Sequence, residues 1–216
     1  NTMVSGYARS GNMILAENIF NIIPRRDTIS WNAMILACCN AGEMERARKF
    51  FNQMPSRNII TWNTMLAGYL GRNCFDSAIA LFEEMKEKEY NPDYLTITNV
   101  LSACASLGLL EKGEEVHIFA LEKGLTSSAH VTTALIEMYA KCGRILSSLQ
   151  VFYKSQVMDI YGWNAMISGL ALHGQAFAAF KLFDDMKGKG LRPDDITFIG
   201  LLSACSHSGL VHKGLE

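Results

Sequence analysis

Residues 62–93 read W-N-T-M-L-A-G-Y-L-G-R-N-C-F-D-S-A-I-A-L-F-E-E-M-K-E-K-E-Y-N-P-D, and this stretch decides the fold. Met65, Leu66, Tyr69 and Leu70 fall at helical spacing. From Phe75 to Lys88 a second stripe follows, built from Ala78, Leu81, Phe82 and Met85. Its opposite face carries Glu83, Glu84, Lys86, Glu87 and Lys88, a solvated surface. Asn73 between the stripes suits a left-handed helix end, and Pro92 stops the second helix. The segment is therefore predicted to form two short helices, the first starting near Asn63.

The same pattern runs outward in both directions. Asn63-Thr64-Met65-Leu66 has copies at Asn1-Thr2-Met3-Val4, Asn32-Ala33-Met34-Ile35 and Asn164-Ala165-Met166-Ile167. Looser copies begin at Thr98, Thr133 and Ile199. Successive first residues, here called anchors, lie 31, 31, 35, 35, 31 and 35 positions apart. Ten positions after the anchors stand Gly11, Gly42, Asn73, Gly108, Gly143, Gly174 and Gly209, where a helix should end in every copy. Fifteen after come Ala16, Ala47, Ala78, Gly113, Ser148, Ala179 and Gly214, all small enough for close helix approach. Nineteen after, Phe20, Phe51, Phe82, Phe152 and Phe183 form a repeated core plug, with His117 as a packed replacement. Trp31, Trp62 and Trp163 each directly precede an anchor. A lone hairpin cannot bury its apolar face, but stacked copies can, so an all-α solenoid is expected.

Composition fits this and narrows the function. Half-apolar content (49%) with 19% charged residues excludes a disordered chain. A net charge of −1 excludes a surface that captures nucleic acid through bulk positive charge. Six cysteines lack C-x-x-C spacing and form no disulfide framework. Cys38, Cys104 and Cys205 share one slot, and neighbouring helices packed roughly 8–10 Å apart keep equivalent thiols from converging on one metal. They read as core thiols, with no metal or cofactor expected. No apolar stretch reaches membrane-span length. The opening N-T-M-V-S-G-Y reads as the interior of a longer chain.

The W-N-A/T-M openings, the first-helix ends G-Y-A-R-S-G and M-Y-A-K-C-G, and the close L-F-E-E-M-K-x-K-x-x-x-P-D resemble the pentatricopeptide repeat family along the entire chain. The tetratricopeptide register is absent. The resemblance implies a right-handed superhelical solenoid of antiparallel helix-turn-helix repeats, one array over 1–216. Repeat lengths resemble the PLS subclass: 1–27 (partial) and 28–58 are S-like, 59–93 is P, 94–128 L, 129–159 S, 160–194 P and 195–216 a partial L. That subclass implies an internal piece of a plant factor that selects sites for cytidine-to-uridine RNA editing in a mitochondrion or chloroplast.

The resemblance further implies one RNA base per repeat, read by the anchor and the last residue of that repeat. The pairs are Asn1 with Asp27, Asn32 with Asn58, Asn63 with Asp93, Thr98 with Ser128, Thr133 with Asp159, and Asn164 with Asp194. Asn with Asp implies uridine, Asn with Asn a pyrimidine, and Thr with Asp guanosine. Thr98 with Ser128 is assigned no base, so the expected preference is U-Y-U-n-G-U. The residues three before the anchors, Ile29, Ile60, Leu95, His130, Tyr161 and Ile196, would carry the stacked bases. Arg9 and Lys141 are the candidate phosphate contacts. The expected partner is single-stranded organellar RNA, with editing accessory proteins or a deaminase domain in cis or trans.

Plainer readings compete. An Asn near a helix start is commonly a cap, and an Asp after Pro is commonly a turn residue. A protein-binding solenoid, or an RNA-processing or stability factor without editing, also fits a near-neutral chain. Zinc deaminase chemistry needs H-x-E and P-C-x-x-C; neither motif occurs, so no catalytic residue is assigned.

Overall fold

The computed structural model describes residues 2–155 and 158–210, excepting the side chains of Thr2, Ser5, Ala8 and Arg9. The described residues form thirteen α-helices and one 3-10 turn at Leu125–Ser127. They divide into two compact units, Asn1–Ala103 and Cys104–Glu216. The first holds α1 (Thr2–Arg9), α2 (Met13–Ile22), α3 (Thr28–Ala41), α4 (Met44–Gln53), α5 (Ile59–Gly71) and α6 (Phe75–Glu87). Helix α7 (Tyr94–Leu107) crosses the division. The second unit continues with α8 (Leu110–Glu122), α9 (Ala129–Lys141), α10 (Ile145–Lys154), α11 (Ile160–Leu172), α12 (Ala176–Gly188) and α13 (Asp195–Ser208). Odd-numbered helices pack on one another in succession, α1 on α3 on α5 and α9 on α11 on α13. Within the units, α2, α4, α6, α10 and α12 each fold back on the odd-numbered helix before them. This is the expected all-α solenoid of antiparallel hairpins.

The turn within each hairpin has one cause. All seven residues in the slot ten after the anchor adopt left-handed backbone, six glycines plus Asn73 at φ 56°. That conformation lets the following residue reach back across the helix end. Glu43 N–H donates to Cys38 O at 2.9 Å, Arg144 N–H to Tyr139 O at 2.8 Å, and Gln175 N–H to Leu170 O at 2.9 Å. Two otherwise orphaned carbonyls per helix are thus satisfied while the chain reverses.

One expectation needs correcting. From the second hairpin onward, the first helix starts four residues before the anchor, at Thr28 for Asn32, Ile59 for Asn63 and Ile160 for Asn164. The cause is the last residue of the preceding repeat, which acts as N-cap. Asp27 accepts from Ser30 N–H at 2.8 Å, Asn58 from Thr61 N–H at 3.0 Å, Asp159 from Gly162 N–H at 3.1 Å and Asp194 from Thr197 N–H at 2.9 Å. Capping therefore belongs to the terminal residue, and the anchor sits one turn inside the helix.

Inside each unit the repeated plug meets the tryptophans. Phe20 packs edge-on against Trp31 at 5.0 Å and Phe51 against Trp62 at 4.9 Å. Phe152 meets Trp163 at 4.9 Å. Each pair bridges a 31-residue copy to the next. Behind Phe20 and Phe51, Arg26 and Arg57 lie over the rings and donate to the last carbonyls of the second helix, Arg57 Nε to Phe51 O at 2.8 Å. His117 is half-buried, with Nδ1 2.9 Å from the Tyr139 hydroxyl, and burial lowers its pKa. Cys38, Cys104 and Cys205 are buried core thiols. Burial pushes Cys38 up to about 12 and Cys104 to about 11.

The small slot works by contact. A Cβ on Gly113 of α8 would stand 2.4 Å from Met138 Sδ and 2.9 Å from its Cε on α9. Gly113→Val is expected to destabilise the second unit by about 1–3 kcal/mol through overpacking. Urea unfolding checks this, and an unchanged midpoint would show that Met138 moves aside at no cost.

Candidate nucleic-acid interface

Four of the six sequence-predicted pairs are placed with both partners inside one unit. Asn63 and Asn164 form the fullest arrangement. Asn63 Nδ2 donates to both carboxylate oxygens of Asp93, at 3.0 and 3.1 Å, and its Oδ1 accepts from Thr96 Oγ1 at 2.7 Å. Thr96 N–H donates to Asp93 Oδ1 at 2.9 Å, and Asp93 N–H to Thr96 Oγ1 at 3.3 Å. In the second unit the set recurs. Asn164 Nδ2 donates to Asp194 Oδ1 at 2.9 Å and Thr197 Oγ1 to Asn164 Oδ1 at 2.6 Å. Thr197 N–H and Asp194 N–H close the ring at 2.9 and 3.1 Å. Anchor and terminal residue, 30 positions apart in sequence, thus form one polar unit.

The N–H and hydroxyl of Thr197 and the amide of Asn164 hold the Asp194 carboxyl below its ordinary range. A carboxyl depressed in the folded state stabilises the fold above its unfolded pKa, and that contribution is lost as pH falls through the folded value. Asp194 therefore loses its negative charge only at a lower pH than an ordinary aspartate does.

The shorter copies differ. No hydrogen bond joins Asn32 to Asn58, and Asn32 Oδ1 is buried without a partner. Asn58 is spent on its own capping box with Thr61. Thr133 likewise lacks a bond to Asp159, which caps α11; its Oγ1 lies 3.4 Å from where a Cβ on Gly162 would stand. Asp27 accepts from Ser30, but its partner Asn1 lies outside the described residues. Thr98 donates to Tyr94 O of its own helix at 2.7 Å, and Ser128 precedes α9 without a side-chain capping bond.

All six proposed stacking residues, Ile29, Ile60, Leu95, His130, Tyr161 and Ile196, are exposed. Two clefts bring Ile60, Leu95, Tyr161 and Ile196 together with the pairs, whereas Ile29 and His130 line neither. In the first unit a cavity of ≈ 680 Å³ is lined by Ile60, Asn63, Asp93 and Leu95. In the second, ≈ 310 Å³ is lined by Thr133, Lys141, Tyr161, Asn164 and Ile196. Each cleft has a polar floor with an apolar residue from successive hairpins on either side. Asn164 is only 3% exposed yet lines its cleft, so the amide is recessed beneath Tyr161, which is 64% exposed. Lys141 ends α9 at the rim of that cleft. The Arg9 side chain lies outside the described residues.

Sequence reading missed Thr96, Thr197 and Arg72. The threonines had a visible signal, since Asp-x-x-Thr recurs at 93–96 and 194–197. Arg72 lines the first cleft and binds backbone at the end of α3, Nε to Cys39 O at 3.2 Å and Nη2 to Asn40 O. It stands nine after its anchor, one position beyond the slot that holds Arg9 and Lys141.

Comparison with known proteins agrees with this architecture. The family model described as "PPR repeat family" matches residues 26–59, 57–106 and 158–207, and that described as "PPR repeat" matches 1–27 and 131–160. The chloroplastic pentatricopeptide repeat-containing protein ELI1 of Arabidopsis thaliana is 46% identical over 99% of the chain and 34% of its own length. A mitochondrial relative from the same plant is 45% identical over 100% of the chain and 32% of its own length. Another, chloroplastic, is 41% identical over 99% of the chain and 25% of its own length. The chain thus spans about a quarter to a third of these relatives. The crystal structure of the pentatricopeptide repeat protein PPR10 from maize superposes with a TM-score of 0.73 over 98% of the chain and 32% of that protein, at 24% identity. PPR10 in complex with an 18-nt psaJ RNA element gives 0.65 over 99% of the chain and 38% of PPR10, at 21% identity. Matching models over most of its repeats, and carrying their helical hairpins, the chain belongs to the pentatricopeptide repeat family.

Proposed function

We propose that this chain binds single-stranded RNA one base per repeat, with the preference U-Y-U-n-G-U. The observation that carries the reading is the Asn–Asp pair: Asn63 and Asp93 both line the first cleft, and Asn164, bonded to Asp194, lines the second, each flanked by exposed side chains of successive hairpins. A base slid between those side chains presents its Watson–Crick edge to the pair. Uracil offers an N3–H donor flanked by carbonyl acceptors. Asp accepts the first and the second Asn amide hydrogen donates to a carbonyl. Cytosine would instead turn the N3 lone pair toward the carboxylate, an acceptor facing an acceptor. Affinity comes from stacking and edge bonding, as a net charge of −1 requires. The similarity to PPR10, which is solved in complex with an 18-nt psaJ RNA element, supports RNA binding.

Relatives named chloroplastic and mitochondrial support an organellar location. The 31- and 35-residue alternation supports the PLS subclass and hence a role in guiding cytidine-to-uridine editing. Any deaminase activity would be supplied in cis beyond this array or in trans.

A gel shift comparing U-Y-U-n-G-U RNA with its complement tests the reading. The matched RNA is expected to shift at about tenfold lower protein concentration or better, the effect of roughly 1.4 kcal/mol. Equal affinity for both sequences would end the sequence-reading account. No RNA shift, together with partner capture that survives RNase, would favour the protein-binding solenoid.

A further inference from the structure

We propose that Thr96 and Thr197 are specificity-determining residues of the repeats that precede them, setting uridine over cytidine at the third and sixth bases by orienting Asn63 and Asn164. This rests on the RNA-reading assignment above and adds to each pair a third residue, borrowed from the next hairpin.

The argument is one of hydrogen-bond bookkeeping. The amide nitrogen of Asn63 must face Asp93, because a carboxylate only accepts. Asn63 Oδ1 therefore points the other way and needs a donor. Thr96 Oγ1, at 2.7 Å, is that donor. Its single hydrogen has one other candidate, Asp93 Oδ1 at 2.9 Å, but that oxygen already receives Thr96 N–H and the Asn63 amide. The hydroxyl thus completes a ring that allows only one amide orientation. In that orientation the remaining amide hydrogen and the carboxylate lie side by side, so a base seated with its N3 at the carboxylate is accepted as uracil, whose N3–H donates, and opposed as cytosine, whose N3 lone pair faces the anion. Thr197, Asn164 and Asp194 repeat the ring in the second unit.

A natural control exists in the same protein. Thr61 occupies the same slot, three after the N-cap Asn58, and makes the same capping box. Its hydroxyl lies near Asn58 Oδ1 at 3.0 Å and Met54 Sδ at 3.7 Å, and Asn32 Oδ1 receives nothing. Thr61→Val therefore removes the capping hydroxyl at Asn58 without touching an anchor amide or the pairs that read the third and sixth bases.

The test measures affinities of the full chain for RNAs with U or C at the third or sixth base. Thr96→Val is expected to lower the U-to-C preference at the third base about three- to tenfold, the effect of one hydrogen bond, and leave the sixth base unchanged. Thr197→Val should do the reverse, while Thr96→Ser keeps the wild-type ratio and Thr61→Val alters neither. Side-chain amide NMR gives a readout independent of RNA. Asn63 amide hydrogens should be slow to exchange in wild type and Thr96→Ser, and fast in Thr96→Val. Unchanged ratios in both valine variants, or equal losses in Thr61→Val, would overturn the proposal while leaving RNA reading intact. A wild type that binds RNA without distinguishing U from C would overturn the reading itself and the proposal with it.

Discussion

Phe51→Ala is expected to cost about 3–5 kcal/mol of stability, the range for emptying an aromatic site in a packed core. Phe51 is fully buried, meets Trp62 edge-on, and lies beneath the guanidinium of Arg57. Truncation removes the ring from both partners. It also strips the Arg57 side chain, bonded to Phe51 O, of its apolar support. Because hairpins stack on nearest neighbours only, the loss should concentrate in α3–α6. Urea unfolding gives the magnitude, and amide exchange shows the location, with α9–α12 keeping their protection. Leu146→Ala deletes a side chain that is 78% exposed and should stay within about 0.5 kcal/mol. A Phe51→Ala cost near that of Leu146→Ala would mean that the repeated aromatic slot is not a core plug.

That plug was legible in sequence because it repeats, and so was every hairpin turn. Gly42, Gly143 and Gly174 occupy one slot, and only one backbone conformation explains a slot filled by glycine with a single Asn. The bounds of the odd helices were less legible. Asn63 opens the visible W-N-T-M motif, but the helix begins at Ile59, because Asn58 caps it from the previous repeat. A motif marks where residues are constrained, which need not be where a helix starts. The pairing of Phe with Trp is illegible for a similar reason: the two residues fill separate slots, and their contact spans two hairpins.

The candidate site divides in the same way. Register alone placed Asn63, Asp93, Ile60 and Leu95 on one cleft, and Asn164, Tyr161 and Ile196 on another. Spacing carries no information on which polar atoms bond, so the closed rings with Thr96 and Thr197 needed coordinates. The same holds for the difference between long and short copies. Asn32 and Asn63 are identical in type and slot, yet only Asn63 has both polar atoms engaged.

Thr133→Asn should move the preference at the fifth base from guanosine to uridine, with about a 10- to 100-fold change in the ratio of the two affinities. Guanine presents N1–H and N2–H donors, which the Asp159 carboxylate can accept, and the short Thr133 side chain leaves room for a purine beside Tyr161. Asparagine at 133 is longer and intrudes on that room. It also adds an N–H that a uracil carbonyl accepts, so each base gains or loses about one hydrogen bond, roughly 0.5–1.5 kcal/mol apiece. Competition gel shifts with G or U at the fifth base check the outcome, and an unmoved preference would show that the pair at 133 and 159 does not read that base. The switch should nonetheless be incomplete in one respect. Gly162 stands three after Asp159, where Thr96 and Thr197 stand in the long copies, and a Cβ there would fall 2.0 Å from Met158 Sδ. No hydroxyl is available to fix the new amide, which remains free to turn its oxygen toward the base. The variant should therefore accept cytidine at the fifth base more readily than the wild-type chain does at the third or sixth.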